Sequence, residues 1–203
     1  MKRLLTALAL MLTLLPVLAG CGGGVRYPKY YTLNLPPPPD PPAEEGVRAS
    51  VAVREFQSPA YLRQGPIVYR TTPEEIAFYE YHRWAADPRK VVTSAVIDHL
   101  RASNQYSMVA AYNGNPDSDY VFSGKLEKLE ELDYEAGVKV EVALSAQITR
   151  VSTGATVWSN AVSETGTVSQ RSVAGVVAEM NKTMDLAINK LLSTVPATLV
   201  SKK

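Results

Sequence analysis

The stretch Val138 to Thr149 (VKVEVALSAQIT) decides the fold class, because its side chains alternate between apolar and polar with one exception, Ala143. The apolar set is Val138, Val140, Val142, Leu144, Ala146 and Ile148, and the polar set is Lys139, Glu141, Ser145, Gln147 and Thr149. Successive side chains of a strand point to opposite faces of a sheet, so this period of two indicates a half-buried β-strand. We therefore expect a sheet with one face in the core.

The flanking residues extend this strand into a meander. Tyr120 to Leu126 alternate in the same way, turn residues follow at 135–137 and at 152–154, and the chain returns over 155–165. This pattern predicts three antiparallel strands, which we expect at the centre of the sheet. Leucines at 126, 129 and 132 leave the period of two, which predicts a bulge or a strand end.

Shorter alternating runs predict further strands at 27–35, 47–56, 66–70, 76–81 and 106–112. Glu74 and Glu75 leave a second interpretation open, since they could begin a helical turn where the fourth of these strands is predicted. The segment Pro36 to Pro42 cannot join a sheet because proline lacks a backbone donor. We interpret it as a loop between strands, with a domain linker as the alternative.

Two amphipathic helices are predicted. Asp87 can accept hydrogen bonds from free N–H groups and Pro88 fits the first helical position, so a helix begins there and ends near 103–104. A second apolar stripe runs from about 170 to 194. A membrane-surface helix would carry more Lys and Arg on its polar side, so packing on the sheet is favoured. The predicted fold class is α/β of the α+β type, a largely antiparallel β-sheet with two amphipathic helices packed on one face.

The first twenty residues have the layout of a secretory signal: Lys2 and Arg3, an apolar run to Leu15, and small residues before Cys21. The run is shorter than the roughly 20 residues that cross a bilayer. The end of this segment, LAGC at 18–21, resembles the lipobox of bacterial lipoproteins, which implies acylation of Cys21 and removal of 1–20. The alternative, an ordinary signal beside a lone cysteine, would leave a free thiol in an oxidising compartment.

The predicted organisation is a signal peptide at 1–20, a lipidated cysteine with a short tether at 21–29, one domain at 30–195 and a tail at 196–203. The extended chain from Cys21 to Tyr30 spans at most about 30 Å, so the domain stays close to its membrane. Gly22 follows the cysteine where resemblance to Gram-negative lipoproteins associates Asp with inner-membrane retention. The resemblance therefore implies an outer-membrane, periplasm-facing protein.

Composition argues against several classes of function. Without 1–20 the chain has 19 basic and 20 acidic residues and no basic stripe, so nucleic acid is not an expected partner. The two histidines, His82 and His99, have no cysteine nearby; we expect His99 in the core and His82 in stacking or hydrogen bonding, and no metal site. Glutamates at 127, 130, 131 and 135 are expected on a solvated face. Motifs for a serine nucleophile or a phosphate-binding loop are missing, so we expect no enzyme, no catalytic residue and no cofactor beyond the lipid on Cys21.

Three segments together resemble the auxiliary lipoproteins of ABC-type transporters, the PqiC-like group that accompanies MCE-type lipid transport systems. They are Tyr30–Leu33, the run Gly65–Arg70 with Tyr79–Ala85 and Pro88, and the meander with Trp158 and the last helix. The resemblance implies a protein that docks an MCE-domain conduit at the outer membrane and assists lipid movement between membranes. Ring-like homo-oligomers would suit a symmetric conduit.

The resemblance marks five candidate partner-docking residues: Tyr69, Arg70, Tyr81, Arg83 and Trp84. Tyr, Trp and Arg dominate interface hot spots, which favours a docking role, whereas Tyr69 and Trp84 could instead seal the sheet edge against the first helix. Two other functions stay open. One is a lipid-binding module with a pocket beside Ala174, Ala178, Met180 and Met184, and the other is a structural lipoprotein that binds envelope polymers or assembly factors.

Overall fold

The computed structural model describes residues 26–39, 48–114, 117–134, 137–196 and 199. The strands are β1 (Lys29–Tyr31), β2 (Ser50–Val53), β3 (Pro66–Arg70), β4 (Ala77–Trp84), β5 (Met108–Ala111), β6 (Tyr120–Leu132), β7 (Lys139–Arg150) and β8 (Thr156–Thr167). The helices are α1 (Pro88–Ala102), α2 (Val173–Leu192) and a short 3-10 helix (Ala60–Arg63). Cys21 and Glu135 lie outside the described residues, as does the signal segment.

These eight strands form one mixed sheet around the long strand β6, so the predicted α+β class is confirmed. β7 pairs antiparallel with one edge of β6, and β8 pairs antiparallel with β7. The other edge of β6 is shared: β2 pairs parallel with residues 120–122 and β3 pairs parallel with 131–132. β5 lies parallel beside β2, β4 antiparallel beside β3, and β1 parallel beside β4. The longest pairings are antiparallel, as expected.

The meander confirms one expectation and corrects another. β6 and β7 do lie inside the sheet, but in the described residues β8 pairs with β7 alone and forms an edge. The predicted bulge is present, because the β6–β7 register shifts between Leu126 and Lys128 and leaves Glu127 without a partner in the ladder. The extra residue keeps both Leu126 and Leu129 fully buried despite their spacing of three.

The first helix begins where the sequence predicts, and the second begins at Val173, three residues after the predicted start near 170. Asp87 accepts a hydrogen bond from the Arg89 backbone N–H at 3.0 Å, and Ser172 accepts one from Gly175 at 3.1 Å. α1 packs on β5 and β6, α2 packs on β7 and β8, and the two helices contact each other. His99 of α1 is 9% exposed and its Nδ1 lies 2.8 Å from the Ala95 carbonyl oxygen, so its predicted core role is confirmed.

The N-terminal segment joins the sheet and then crosses to the helices. β1 has three residues and not the nine predicted for 27–35. Beyond it Leu33 is buried, and the backbone N–H of Asn34 donates to Oδ1 of Asn181 on α2 at 3.0 Å. Pro38 and Pro39 line a cleft beside the ends of both helices. Leu33 and Leu35 thus pack on the main core just before the prolines, and the strands on either side of the proline segment belong to one sheet, as expected for a loop.

Candidate partner-docking surface

The five candidate docking residues lie on β3 and β4, which form a hairpin near one edge of the sheet. Gly65 precedes β3 with φ +95°, a conformation that favours glycine. Its carbonyl accepts a hydrogen bond from the Trp84 N–H at 2.7 Å, and the Ala85 N–H donates to the Tyr31 carbonyl at 2.7 Å. The backbone at the end of β4 is thus hydrogen-bonded to Gly65 on one side and to Tyr31 of β1 on the other. We call this end of the hairpin, fixed by both bonds, the rigid corner.

Trp84 belongs to the core. It is 7% exposed and is paired with Tyr31 of β1, so both side chains lie on the same face of the sheet. The sequence left a docking role and a sealing role open for this residue, and its burial supports sealing. A cleft of about 150 Å³ lies beside it, lined by Leu62, Arg63, Gly65, Trp84, Ala85, Ala86, Asp87 and Pro88. Sequence reasoning did not predict this cleft. The sequence signals that lie beside it are Gly65 and the helix start at Asp87–Pro88, which both line it.

Tyr69 belongs to a row of aromatic rings that crosses the sheet edge. Its ring centroid lies 4.8 Å from that of Tyr79, and the Tyr79 ring lies 5.6 Å from His82. His82 in turn contacts Tyr31, whose hydroxyl is 2.9 Å from His82 Nδ1. Of the two roles expected for His82, stacking or hydrogen bonding, the hydrogen bond is confirmed, and its ring contacts are tilted and edge-on. The row ties β1, β4 and β3 together through side chains, which is a structural role for Tyr69.

Tyr79, in the middle of this row, also contacts a buried carboxylate. The Tyr79 hydroxyl donates to Oε2 of Glu131 at 2.8 Å, and Glu131 is only 4% exposed. Burial raises the pKa of Glu131, and the hydrogen bond from Tyr79 acts in the opposite direction. Burial also raises the pKa of the Tyr79 hydroxyl, and the Glu131 hydrogen bond adds to that rise. The pair therefore keeps Tyr79 protonated as a hydrogen-bond donor.

Arg70 is engaged inside the molecule. Its Nε lies 2.8 Å from Oε1 of Glu130, which is fully buried, and its Nη1 donates to the Pro73 carbonyl at 2.8 Å. The expectation that the glutamate cluster lies on a solvated face is wrong for Glu130 and Glu131. The two are consecutive residues of β6 and face opposite sides of the sheet, and both sides are covered at this end of the strand.

Tyr81 and Arg83 are the two candidates that reach solvent without a core role. Both are half-buried, and Arg83 pairs with Tyr30 of β1, which is 63% exposed. Since Tyr31 and Trp84 occupy the buried face, the pair Tyr30 and Arg83 lies on the opposite face. The five candidate docking residues thus fall into two groups. Trp84, Tyr69 and Arg70 make contacts that support the fold, whereas Tyr81 and Arg83 are the two that could contact a partner.

A broad polar groove of about 650 Å³ is lined by residues of the central strands and of the segment after β2. Two of its charged groups form ion pairs within the molecule: Lys125 Nζ lies 2.5 Å from Glu127, and Glu55 Oε1 lies 3.7 Å from Arg89 Nη1. Such internal pairing reduces the charge that the groove offers to a ligand. The groove carries no strong signal for a particular ligand.

The four residues predicted beside a lipid pocket do not share one environment, since Ala174 and Ala178 of α2 are exposed. Met180 and Met184 of α2 are fully buried in the main core cluster. A cleft of about 370 Å³ lies elsewhere, at the C-terminal ends of the helices, with Pro38, Pro39, His99, Leu192 and Val195 among its lining residues. Among the described residues, none of the helices combines the length and the apolar character needed to cross a bilayer.

Comparison with known proteins decides the family. The family model described as the ABC-type transport auxiliary lipoprotein component matches residues 31–191. The chain belongs to this family. It is therefore an auxiliary lipoprotein of an ABC-type transport system, and the family name indicates membrane association and partners within that system. The resemblance seen in the sequence is confirmed at the level of the family.

Solved structures of other proteins show a similar fold. A Xanthomonas campestris protein of the DUF330 family has 19% identity and a TM-score of 0.71, covering 81% of this chain and 92% of that one. A second, uncharacterized protein has 13% identity and a TM-score of 0.65, covering 84% of this chain and 99% of its own. No match was found among curated proteins.

Proposed function

We propose that this auxiliary lipoprotein is a non-enzymatic adaptor, anchored by acyl chains on Cys21 in the inner leaflet of the outer membrane, that docks an MCE-domain conduit for intermembrane lipid transport. The family match over residues 31–191 carries the proposal, because it makes the chain a component of a transport system. The MCE partner, the outer-membrane location and the lipid cargo extend that family assignment.

The N-terminal sequence supports the anchoring part. LAGC at 18–21 has the form of a lipobox, and Gly22 follows the cysteine. A multiply acylated cysteine adds about 0.8 kcal/mol of membrane affinity for each buried methylene, so two or three chains give stable attachment. The short tether then keeps the domain beside the membrane. The partner protein must therefore span the periplasm.

The rigid corner at the end of β4 supports the docking part. Tyr81 and Arg83 offer an aromatic ring and a guanidinium, the side chains that contribute most to interfaces. The neighbouring cleft of about 150 Å³ has exposed Arg63 at its rim and Trp84 in its wall. A cleft of this size takes one inserted side chain of a partner, and backbone hydrogen bonds hold its walls in place.

The docking part is tested by site-specific crosslinking in intact cells. A photoreactive residue replaces Tyr81, and a matched control replaces Leu186, which is 52% exposed on α2. We expect capture of an MCE-domain protein from position 81 and not from 186, with the lipoprotein in the outer-membrane fraction. Capture from neither position, with both variants folded and in the outer membrane, would remove the MCE partner from the proposal.

The anchoring part has a separate test. Cells grown with labelled palmitate should label the unchanged protein and not the Cys21→Ser variant. Labelling of both would show that acylation occurs elsewhere. Native mass spectrometry of the purified protein addresses the lipid-binding alternative: reproducible phospholipid adducts that depend on Leu192 or Val195, both lining the cleft of about 370 Å³, would favour it over the adaptor.

A further inference from the structure

The first described residues form an exposed aromatic and basic patch. Arg26, Tyr27, Lys29 and Tyr30 are all exposed, and we call these four residues the N-terminal patch. Tyr27 is 79% exposed and Tyr30 is 63% exposed, more than any other large apolar side chain described. Two aromatic rings left in water within a few residues of each other need an explanation, since large apolar groups gain free energy on burial.

The second half of the patch, Lys29 and Tyr30, is held in place by the sheet. Lys29, Tyr30 and Tyr31 pair with His82, Arg83 and Trp84 of β4. Tyr31 also contacts His82 through its hydroxyl at 2.9 Å and through ring packing at 5.6 Å. The exposed Tyr30 ring therefore sits on a strand that the sheet has already ordered, and Tyr27 precedes that strand by two residues. A contact of Tyr30 with another surface thus orders few additional groups.

The length of chain before the patch identifies the surface that it faces. Cys21 precedes Arg26 by five residues, which span at most about 18 Å when fully extended. The polar headgroup region of each leaflet is itself about 5–8 Å thick. If Cys21 carries acyl chains, the patch is thus confined to a thin layer next to that bilayer, whatever the rest of the domain does.

We propose that the N-terminal patch is a membrane-seating surface that contacts phospholipid headgroups of the same bilayer in which Cys21 is anchored. Tyrosine rings favour the boundary between headgroups and water because the ring is apolar and the hydroxyl is polar. Arg26 and Lys29 attract lipid phosphates. Exposed Glu80 precedes His82, the β4 partner of Lys29, by two residues, and even if it offsets one of these charges the patch stays net positive. The inference rests on the proposed acylation of Cys21, and it adds that the domain has a defined orientation on the membrane.

The test attaches the protein chemically, so that it does not depend on acylation in cells. The chain has one cysteine, and the thiol of the mature, unacylated protein can be coupled to maleimide lipid in phosphatidylethanolamine–phosphatidylglycerol vesicles. Tyr27→Trp and Tyr30→Trp report contact through quenching by lipids brominated near the headgroup. Leu186→Trp on α2 and Met108→Trp on β5 are matched controls, being 52% and 49% exposed at other places in the fold. The uncoupled and unsubstituted proteins give the background from Trp84 and Trp158.

We expect at least about twofold stronger quenching at positions 27 and 30 than at 186 and 108. Equal quenching at all four positions would overturn the proposal, because it would mean that the tethered domain has no preferred orientation. Quenching confined to 186 or 108 would also overturn it and would assign the membrane contact to another face. Since coupling replaces acylation, these outcomes are independent of the palmitate test, which alone decides whether Cys21 is the natural anchor.

Discussion

Arg70 and Glu130 form an ion pair, with 2.8 Å between Nε of the guanidinium and Oε1 of the carboxylate, at the parallel contact between β3 and β6. The Glu130 side chain is fully buried, whereas that of Arg70 is 14% exposed. The second carboxylate oxygen, Oε2, has no hydrogen-bond partner among the residues that the structure describes. The hydrogen bond from Arg70 is thus the principal compensation for burying this carboxylate, and the Glu130 carboxylate in turn raises the pKa of Arg70.

Replacement of Arg70 should therefore destabilise the fold strongly. Arg70→Met leaves the Glu130 carboxylate buried without its cation, and we expect a loss of about 3–5 kcal/mol in the free energy of unfolding, measured by urea denaturation. The double variant Arg70→Met, Glu130→Met removes both charges and should recover most of this loss. A single variant as stable as the unchanged protein would show that the pair contributes nothing.

Trp84→Ala should act on stability. Truncation of a tryptophan that is 7% exposed removes a large part of the core beside β1, and we expect a loss of about 3–5 kcal/mol in the free energy of unfolding. The matched control is Tyr30→Ala on the neighbouring strand, where 63% exposure predicts a change within about 0.5 kcal/mol. A Trp84→Ala protein with unchanged stability that fails to capture its partner would restore the docking role of this residue.

Gly124→Ala tests the close approach of β6 to the segment after β2. A Cβ atom at position 124 would overlap Cζ of the Phe56 ring, and Phe56 is fully buried. We expect a loss of about 1–3 kcal/mol from overpacking, measured by thermal or urea denaturation. Phe56→Leu in the Gly124→Ala background should cost less than the sum of the two single changes, because the shorter side chain makes room for the methyl group. Additive losses would mean that the ring moves aside freely.

Glu131 should make stability depend on pH in a specific direction. Its folded-state pKa is raised above the ordinary value of 4.5, so the folded protein binds the proton more tightly than the unfolded chain. The contribution of Glu131 to stability is full below pH 4.5, falls as the pH rises through the raised pKa, and is level above it. Glu131→Gln should remove this fall. Urea denaturation of both proteins from acid to neutral pH provides the difference curve, and a flat difference would contradict the assignment.

Local chemistry explains the parts of the fold that could be predicted from the sequence. The side chain of Asp87 and the ring of Pro88 determine where α1 begins, and both act within one turn. The bulge at Glu127 follows from leucines spaced by three within a strand whose core face has period two. His99 could be placed in the core from its position in the apolar stripe of α1 alone.

Long-range pairing explains what the sequence did not predict. The parallel contacts of β6 with β2 and with β3 join segments far apart in the chain, and alternation within a strand carries no information about its neighbours. The same contacts bury Glu130 and Glu131, which alone look like a solvated acidic run. The sequence placed the candidate docking residues on two predicted strands, which pair as the β3–β4 hairpin, but it could not tell which of their side chains face the core.

The pairing of β1 with β4 has a mechanical consequence. Any force that pulls on the N-terminal end of the domain is first borne by a ladder of only three residue pairs and by the hydrogen bond from the Ala85 N–H to the Tyr31 carbonyl. Tension along the strand loads these bonds together, in shear, whereas tension away from the sheet edge breaks them one after another. The direction in which the chain leaves Lys29 therefore decides how much load this edge of the sheet withstands before it opens.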